Sequence, residues 1–447
     1  MSDGDGTRKS RPGGWKWRRW LLVPLLLLLG LLAVGSAEIG PLVAPRNILL
    51  YSTGTFLDRH LPHLPDDHGH GSIAGRVVDA DARPVAGATV LVSAKDGMVY
   101  RTTTDASGDY ALPGVPAGAY TPMAAKSGYV DAYPASRRHR LLAWRVTPVG
   151  VHGGRTVGDV RFVLRAVVAT PAVPPTDLAL GPVETRRSDL PTEVRSHART
   201  VAFTRGGTRL ADIAVYEPTE GSDPLPVLLA IYPGTPASWD RVSVPLAAQG
   251  YVVLAIFPTR GLDLEADMDD TAAFVALARA GRISPRANMT RLGILGGSFT
   301  SLHVYRWLER EGGVRGAVVL GGIADLFAYR HDWERGLIDL PPEVGDIDTA
   351  LMALGTPDHR PEQYLRYSAA YHLDRLPPIL LAHGDKDRIV PTHQSVDLAQ
   401  LLTERGKPVE PHYYPNMEHY FADASDADTQ DLYAATVAFF ARSVGQP

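Results

Sequence analysis

The sequence contains no cysteine. That excludes disulfide staples, thiol nucleophiles, a lipidated cysteine anchor and every cysteine-based metal site. It also lacks an excess of either charge: 45 Lys and Arg stand against 49 Asp and Glu, a net of −4. So near a balance gives no electrostatic ground for a nucleic-acid partner. No phosphate-binding glycine loop, dinucleotide fingerprint or metal-ligand spacing is present, and no cofactor is expected. What is present is apolar material, at 45% of 447 residues. That is enough for a sizeable core and excludes wholesale disorder.

The chain opens with an address. Residues 1–19 carry Arg8, Lys9, Arg11, Lys16, Arg18 and Arg19 against only Asp3 and Asp5. An apolar run extends from Trp20 to Ala37, centred on five consecutive leucines. A positive flank before an apolar stretch is an export signal, and the positive-inside rule keeps its N-terminus in the cytoplasm. As a helix the run would measure ~27 Å, against a hydrocarbon core of ~30 Å. Residues 1–38 therefore read as a signal peptide or a signal anchor. The membrane is a partner if 20–37 stay uncleaved, and a secreted protein results if cleavage occurs after Gly35-Ser36-Ala37.

Residues 39–70 read as a linker, with prolines at 41, 45, 62 and 65. His60, His63, His68 and His70 lie there near Asp66 and Asp67, but no helix or strand period aligns them into a metal site. Short β runs come next at 73–79, 88–92, 99–103 and 110–112, separated by turn residues. Val160, Phe162 and Leu164 alternate in a last strand near 159–165. Strands this short and regularly spaced predict a β-sandwich over 71–165. Gly75-Arg76-Val77, Pro84-Val85-Ala86-Gly87-Ala88, Thr104 to Tyr110 and Pro116 to Tyr120 resemble the carboxypeptidase regulatory-like domain. The resemblance implies a prealbumin-like accessory module without catalytic residues. A carbohydrate or protein contact is the further role it leaves open, beside spacing and stabilisation. Five prolines within 166–198 predict an extended linker that separates the sandwich from the C-terminal unit.

From 199 to 447 the pattern becomes apolar runs alternating with helical stretches. The runs are 227–232, 251–256, 291–295, 316–320 and 378–382. Such runs are buried on both faces, as in a mainly parallel sheet covered by helices. Helical stretches fall at 268–281, 300–311, 394–405 and 427–443. The run 291–295 leads into Gly296-Gly297-Ser298-Phe299-Thr300, a strand-to-helix turn that lifts a serine above the sheet. Asp387 and His419 come later, each after its own strand. A serine needs a base, and the base needs an acid to fix its tautomer. Serine, acid, histidine is the chain order of α/β-hydrolases.

Gly296-Gly297-Ser298, His383-Gly384-x-x-Asp387-x-x-Val390-Pro391 and Asn416-Met417-Glu418-His419 resemble the α/β-hydrolase superfamily, in its dienelactone-hydrolase and prolyl-oligopeptidase-like branches. The resemblance implies Ser298 as nucleophile, His419 as base and Asp387, rather than Asp385, as acid. It implies an oxyanion hole from the Phe299 amide and from Thr235 or Gly234, Thr235 being favoured. Two positions depart from the pattern. Thr300 stands where glycine is usual, which predicts crowding. Tyr232-Pro233-Gly234-Thr235 replaces a His-Gly-Gly loop, and Pro233 has no N–H to offer. An insertion near 324–370 is expected to be helical around His331 to Arg335. It is expected to line the pocket with Tyr329, Trp333, Leu337 and Leu340. His412 falls within a strand and is set aside as base. The expectation is an exported serine hydrolase of a carboxylic ester. A small-peptide hydrolase and a binding protein on a decayed hydrolase fold are the alternatives.

Overall fold

The computed structural model describes residues 40–60, 69–135, 148–167, 178–186, 196–205, 208–258, 263–342, 346–421 and 423–446. The Trp20–Ala37 run and most of the histidine-bearing stretch lie outside the described residues. Among the described residues no helix is long and apolar enough to cross a membrane.

The first unit is a sandwich of short strands: β1 (His70–Asp79), β2 (Thr89–Ser93), β3 (Val99–Thr103), β4 (Asp109–Pro116), β5 (Gly118–Tyr120), β6 (Met123–Ala125), β7 (Tyr129–Val130), β8 (Val149–Val151) and β9 (Thr156–Ala166). One sheet has the order β4-β1-β9-β7, another β3-β2-β6, and β5 pairs with β8. Alternation in sequence becomes alternation in burial. Val160, Phe162 and Leu164 of β9 are fully buried against Ile73, Val77, Val90 and Val92.

The second unit is built on nine strands: β10 (Leu178–Arg186), β11 (Ser196–Arg205), β12 (Thr208–Pro218), β13 (Leu225–Ile231), β14 (Val252–Pro258), β15 (Ala287–Gly297), β16 (Gly316–Leu320), β17 (Ile379–Gly384) and β18 (Val409–Tyr414). Their order is β10-β11-β12-β14-β13-β15-β16-β17-β18. The chain pairs antiparallel from β10 to β14 and parallel from there to β18. The helices are α1 (Gly40–His60), α2 (Asp240–Ala248), α3 (Leu264–Arg279), α4 (Ser301–Arg310), α5 (Leu326–Glu334), α6 (Asp346–Leu354), α7 (Pro361–Arg366), α8 (His393–Glu404) and α9 (Asp426–Ser443). One sheet face is covered through Phe274, Trp307 and Leu398 of α3, α4 and α8. The other is covered through Val244 of α2 and Phe439 and Phe440 of α9. This is the mainly parallel, doubly covered sheet that the apolar runs predict.

Three expectations about organisation change. The stretch 40–60, read as a linker, is helix α1. Tertiary contact rather than periodicity holds it: Asn47 Nδ2 donates to Ala353 O of α6 at 2.7 Å, and the Arg330 guanidinium covers the Tyr51 ring at 4.9 Å. The stretch read as a proline-rich linker holds β10 and the start of β11. Its Pro182 falls where the pairing register shifts, between Leu180 and Val183, on an edge strand. That is where a sheet tolerates proline.

The sandwich, moreover, is not held apart. Leu91, Met123 and Ala125 share one buried cluster with Phe327, Tyr329 and Tyr364 of the insertion. The Arg101 guanidinium covers the Tyr371 ring at 5.6 Å. At Gly97 (φ +94) an added Cβ would lie 2.4 Å from Phe327 O, so only glycine permits this approach.

Candidate active site

The end of β15 and the start of α4 form the elbow that the sequence predicts. Ser298 adopts φ +50, a conformation rare for a residue with a side chain. Sterics explain the preceding glycines. A Cβ at Gly296 would lie 2.9 Å from Ile231 O, and one at Gly297 would lie 2.3 Å from Leu320 O. The elbow is braced from below, because Ser301 Oγ donates to Ser298 O at 2.7 Å and accepts from Ile323 N at 2.8 Å.

The three expected residues meet. Ser298 Oγ is 2.7 Å from His419 Nε2, and His419 Nδ1 is 2.7 Å from Asp387 Oδ2. A carboxylate accepts, so Nδ1–H donates to Asp387 and Nε2 is left to accept the serine proton. Asp387 is buried, and its other oxygen accepts from Ile389 N at 3.0 Å and Val390 N at 2.8 Å. Burial pushes its carboxyl up. Hydrogen bonds from His383 and His419 outweigh burial and hold it at about 2. Asp385 is exposed on the same turn, which leaves the acid position to Asp387. His412 lies 3.8 Å from Asp431 and takes no part.

His383 is a partner the sequence motif contained but did not explain. It is fully buried, and its Nε2–H donates to Val390 O at 2.8 Å. The same nitrogen lies 3.2 Å from Asp387 Oδ2, while Nδ1 accepts from Ser395 Oγ at 2.7 Å. The acid is thus gripped by two histidines and two amides.

Thr300 does not crowd the elbow; it bonds it. Its hydroxyl donates to Ile231 O at 2.6 Å and stands 2.9 Å from Gly297 O. Ile231 ends β13, from which the Tyr232-Pro233-Gly234-Thr235 loop departs. That loop is stiffened by Trp239, whose ring stacks on Tyr232 at 4.2 Å and 5°. The Trp239 indole N–H also donates to Pro233 O at 2.7 Å. Nothing in the sequence singled out Trp239, because a lone tryptophan six residues after a proline carries no motif.

A cavity of about 850 Å³ opens over the triad. Ser298, Phe299, His419 and Gly234 line it, but Thr235 does not; Thr235 heads the short turn Pro236–Trp239 instead. The insertion contributes Ile347 and Ala350 to the wall. Tyr329, Trp333, Leu337 and Leu340 are not in it. Tyr329 is buried in the cluster shared with the sandwich, Trp333 faces Tyr51 of α1 at 5.7 Å, and Leu337 is exposed. The helix around His331 is present, but its apolar face turns to the sandwich rather than to the cavity. His331 pairs there with Asp96 at 3.1 Å. Among the described residues no cluster of three His, Asp or Glu is arranged to hold a metal.

A mainly parallel, helix-covered sheet with a serine on an elbow, hydrogen-bonded to a histidine held by a buried aspartate, defines a serine hydrolase of the α/β-hydrolase fold. Residues 261–447 match the prolyl oligopeptidase family, and residues 72–164 match the carboxypeptidase regulatory-like domain. Over 188 residues the chain is 29% identical to the uncharacterized peptidase YtmA of Bacillus subtilis (strain 168), spanning 40% of this chain and 68% of that protein. Among solved structures, a truncated carbohydrate esterase from gut microbiota is similar at 18% identity and a TM-score of 0.42, covering 52% of this chain and 90% of that one. The acylaminoacyl peptidase of Pyrococcus horikoshii is similar at 14% identity and a TM-score of 0.45, covering 81% and 55%.

Proposed function

We propose that this protein hydrolyses carboxylic esters through an acyl-enzyme on Ser298. The observation that carries the reading is the unbroken relay of two 2.7 Å hydrogen bonds from Ser298 Oγ through His419 to Asp387. His419 Nε2 takes the serine proton as Oγ attacks the acyl carbon, and returns it to the departing alcohol. Asp387 keeps the imidazole in the tautomer that accepts at Nε2 and offsets its charge once protonated. The amides of Phe299 and Gly234 are the donors assigned to the tetrahedral anion. Water, deprotonated by His419, then releases the acid and restores the serine. None of these steps draws on a cofactor.

Peptide hydrolysis is the second reading. The prolyl oligopeptidase match and the name of the Bacillus relative favour it. Against a large gated peptidase stands the module in front of the hydrolase, a small sandwich of 69–166 rather than a propeller. As to place, the cationic 1–19 ahead of Trp20–Ala37 supports action outside the cytoplasm. A cell-derived protein beginning at Glu38 would be the released form, and an intact N-terminus the tethered one.

The test is reaction with a fluorophosphonate probe beside Ser298→Ala, with both proteins assayed on short-chain p-nitrophenyl esters and on small acyl-peptides. Labelling and ester turnover should vanish together in the variant. A folded wild type that takes no label would refute the nucleophile and return the chain to a binding role. Labelling with peptide but no ester turnover would move the assignment to the second reading.

A further inference from the structure

The wall of the cavity over Ser298 holds a polar pair that the triad does not use. Asp267, in the first turn of α3, and His303, in the first turn of α4, both line it. They are 3% and 1% exposed, and His303 Nε2 lies 3.1 Å from Asp267 Oδ2. The carboxylate accepts, so Nε2 carries the proton that joins them. The Phe299 ring stands edge-on to the imidazole, with centroids 6.0 Å apart. The imidazole thus touches both Asp267 and the residue next to Ser298 in the chain. Its second nitrogen, Nδ1, is buried without a hydrogen-bond partner among the described residues. A buried polar atom left unmet is costly and calls for an explanation.

We infer that His303 Nδ1 anchors a specificity subsite for a hydroxyl group of the substrate, which rests on the reading of Ser298 as nucleophile. The chemistry selects the group. With the ring neutral, Nδ1 accepts a hydrogen bond; with the ring protonated, it donates one. A hydroxyl serves both states. An amide N–H or a carbonyl oxygen serves one state only. A plain alkyl ester leaves Nδ1 unmet in the complex. A site built to bond a hydroxyl rejects the analogue that lacks it far more strongly than an apolar pocket rejects an extra methyl. The substrate class is therefore a hydroxylated ester, with the hydroxyl on the acyl chain or on the alcohol.

Two pairs of near-isosteric esters separate these sources. Methyl β-hydroxybutyrate against methyl isovalerate reads the acyl side, and glycol monobutyrate against propyl butyrate reads the alcohol side. The wild type should prefer the hydroxylated member of one pair by at least ~10-fold in kcat/KM. In His303→Phe that ratio should fall to near one, and in His303→Gln, which keeps a donor and an acceptor, it should fall only in part. A ratio of two substrates on one preparation cancels the active fraction, so partial misfolding does not imitate the result. Ratios near one in both pairs, from a wild type that takes the fluorophosphonate label, would overturn the subsite and leave the hydrolase reading intact. A preference that survives His303→Phe would overturn it as well. A wild type that takes no label would overturn both.

Discussion

Replacing Thr300 by valine removes one hydroxyl and almost no volume. In the native protein that hydroxyl donates to Ile231 O at 2.6 Å, and the side chain is 2% exposed. Valine therefore places a methyl where a donor stood and leaves a buried carbonyl without it. Such a loss costs about 1–3 kcal/mol. For a domain of this size each kcal/mol lowers Tm by about 2–4 °C, so a drop of roughly 2–12 °C is expected. The activity should fall as well, because Ile231 is the last residue before the loop that carries Gly234. Losing a whole oxyanion donor costs ~100-fold or more in kcat. A loop that is loosened rather than lost should cost about ten-fold, with KM little changed. Thr300→Ser keeps the hydroxyl and should keep kcat within about two-fold of wild type. Thermal unfolding and short-ester kinetics on both variants decide it. A valine variant with unchanged Tm and kcat would refute the idea that Thr300 ties the elbow to the oxyanion loop.

The same site yields two further expected outcomes. The Asp387 carboxyl sits at about 2 in the folded protein against an ordinary value of 3.8. Its contribution to stability is therefore full above about pH 4 and lost as pH falls through about 2, amounting to about 2 kcal/mol. Urea unfolding between pH 5 and pH 2 should show a steeper loss in the wild type than in Asp387→Asn, and parallel curves would contradict the assignment. Trp239→Ala removes both the stack on Tyr232 and the hydrogen bond to Pro233 O. It should lower kcat about ten-fold on short esters, and unchanged kcat would show that the loop keeps its shape without the indole.

The elements legible in the sequence are those whose burial alternates or saturates. The strand at 316–320 lies where its apolar run predicts, and β9 is visible through Val160, Phe162 and Leu164 because one face alone is buried. The relay is legible because the elbow, acid and histidine each come after a strand end, and strand ends of a parallel sheet gather at one edge. The resemblance to the hydrolase motif, through its spacing to Val390-Pro391, implies Asp387 rather than Asp385, and burial agrees. What escapes is fixed by distant partners. Helix α1 has no period that marks it, since α6 and Arg330 rather than its own sequence hold it. The pocket wall differs from expectation because α5 turns its apolar face to the sandwich, a surface no local pattern announces. Asp267 and His303 come from different helices, and nothing near either one points to the other. Thr300 looks like a steric fault because a sequence shows the extra methyl but not the carbonyl its hydroxyl will find.

The shared cluster of Leu91, Met123 and Ala125 with Phe327 and Tyr364 has a consequence for how the molecule can be divided. By sequence the accessory module and the enzyme are two lengths of chain; by cohesion they are one body. The helices that these residues support also carry the segment that delivers Ile347 and Ala350 to the cavity. A fragment cut before the enzyme would bare an oily strip, and a free sandwich would bare the matching one. Neither half is a spare part. The sandwich is a foundation, set against the helices of the insertion rather than against the cavity itself.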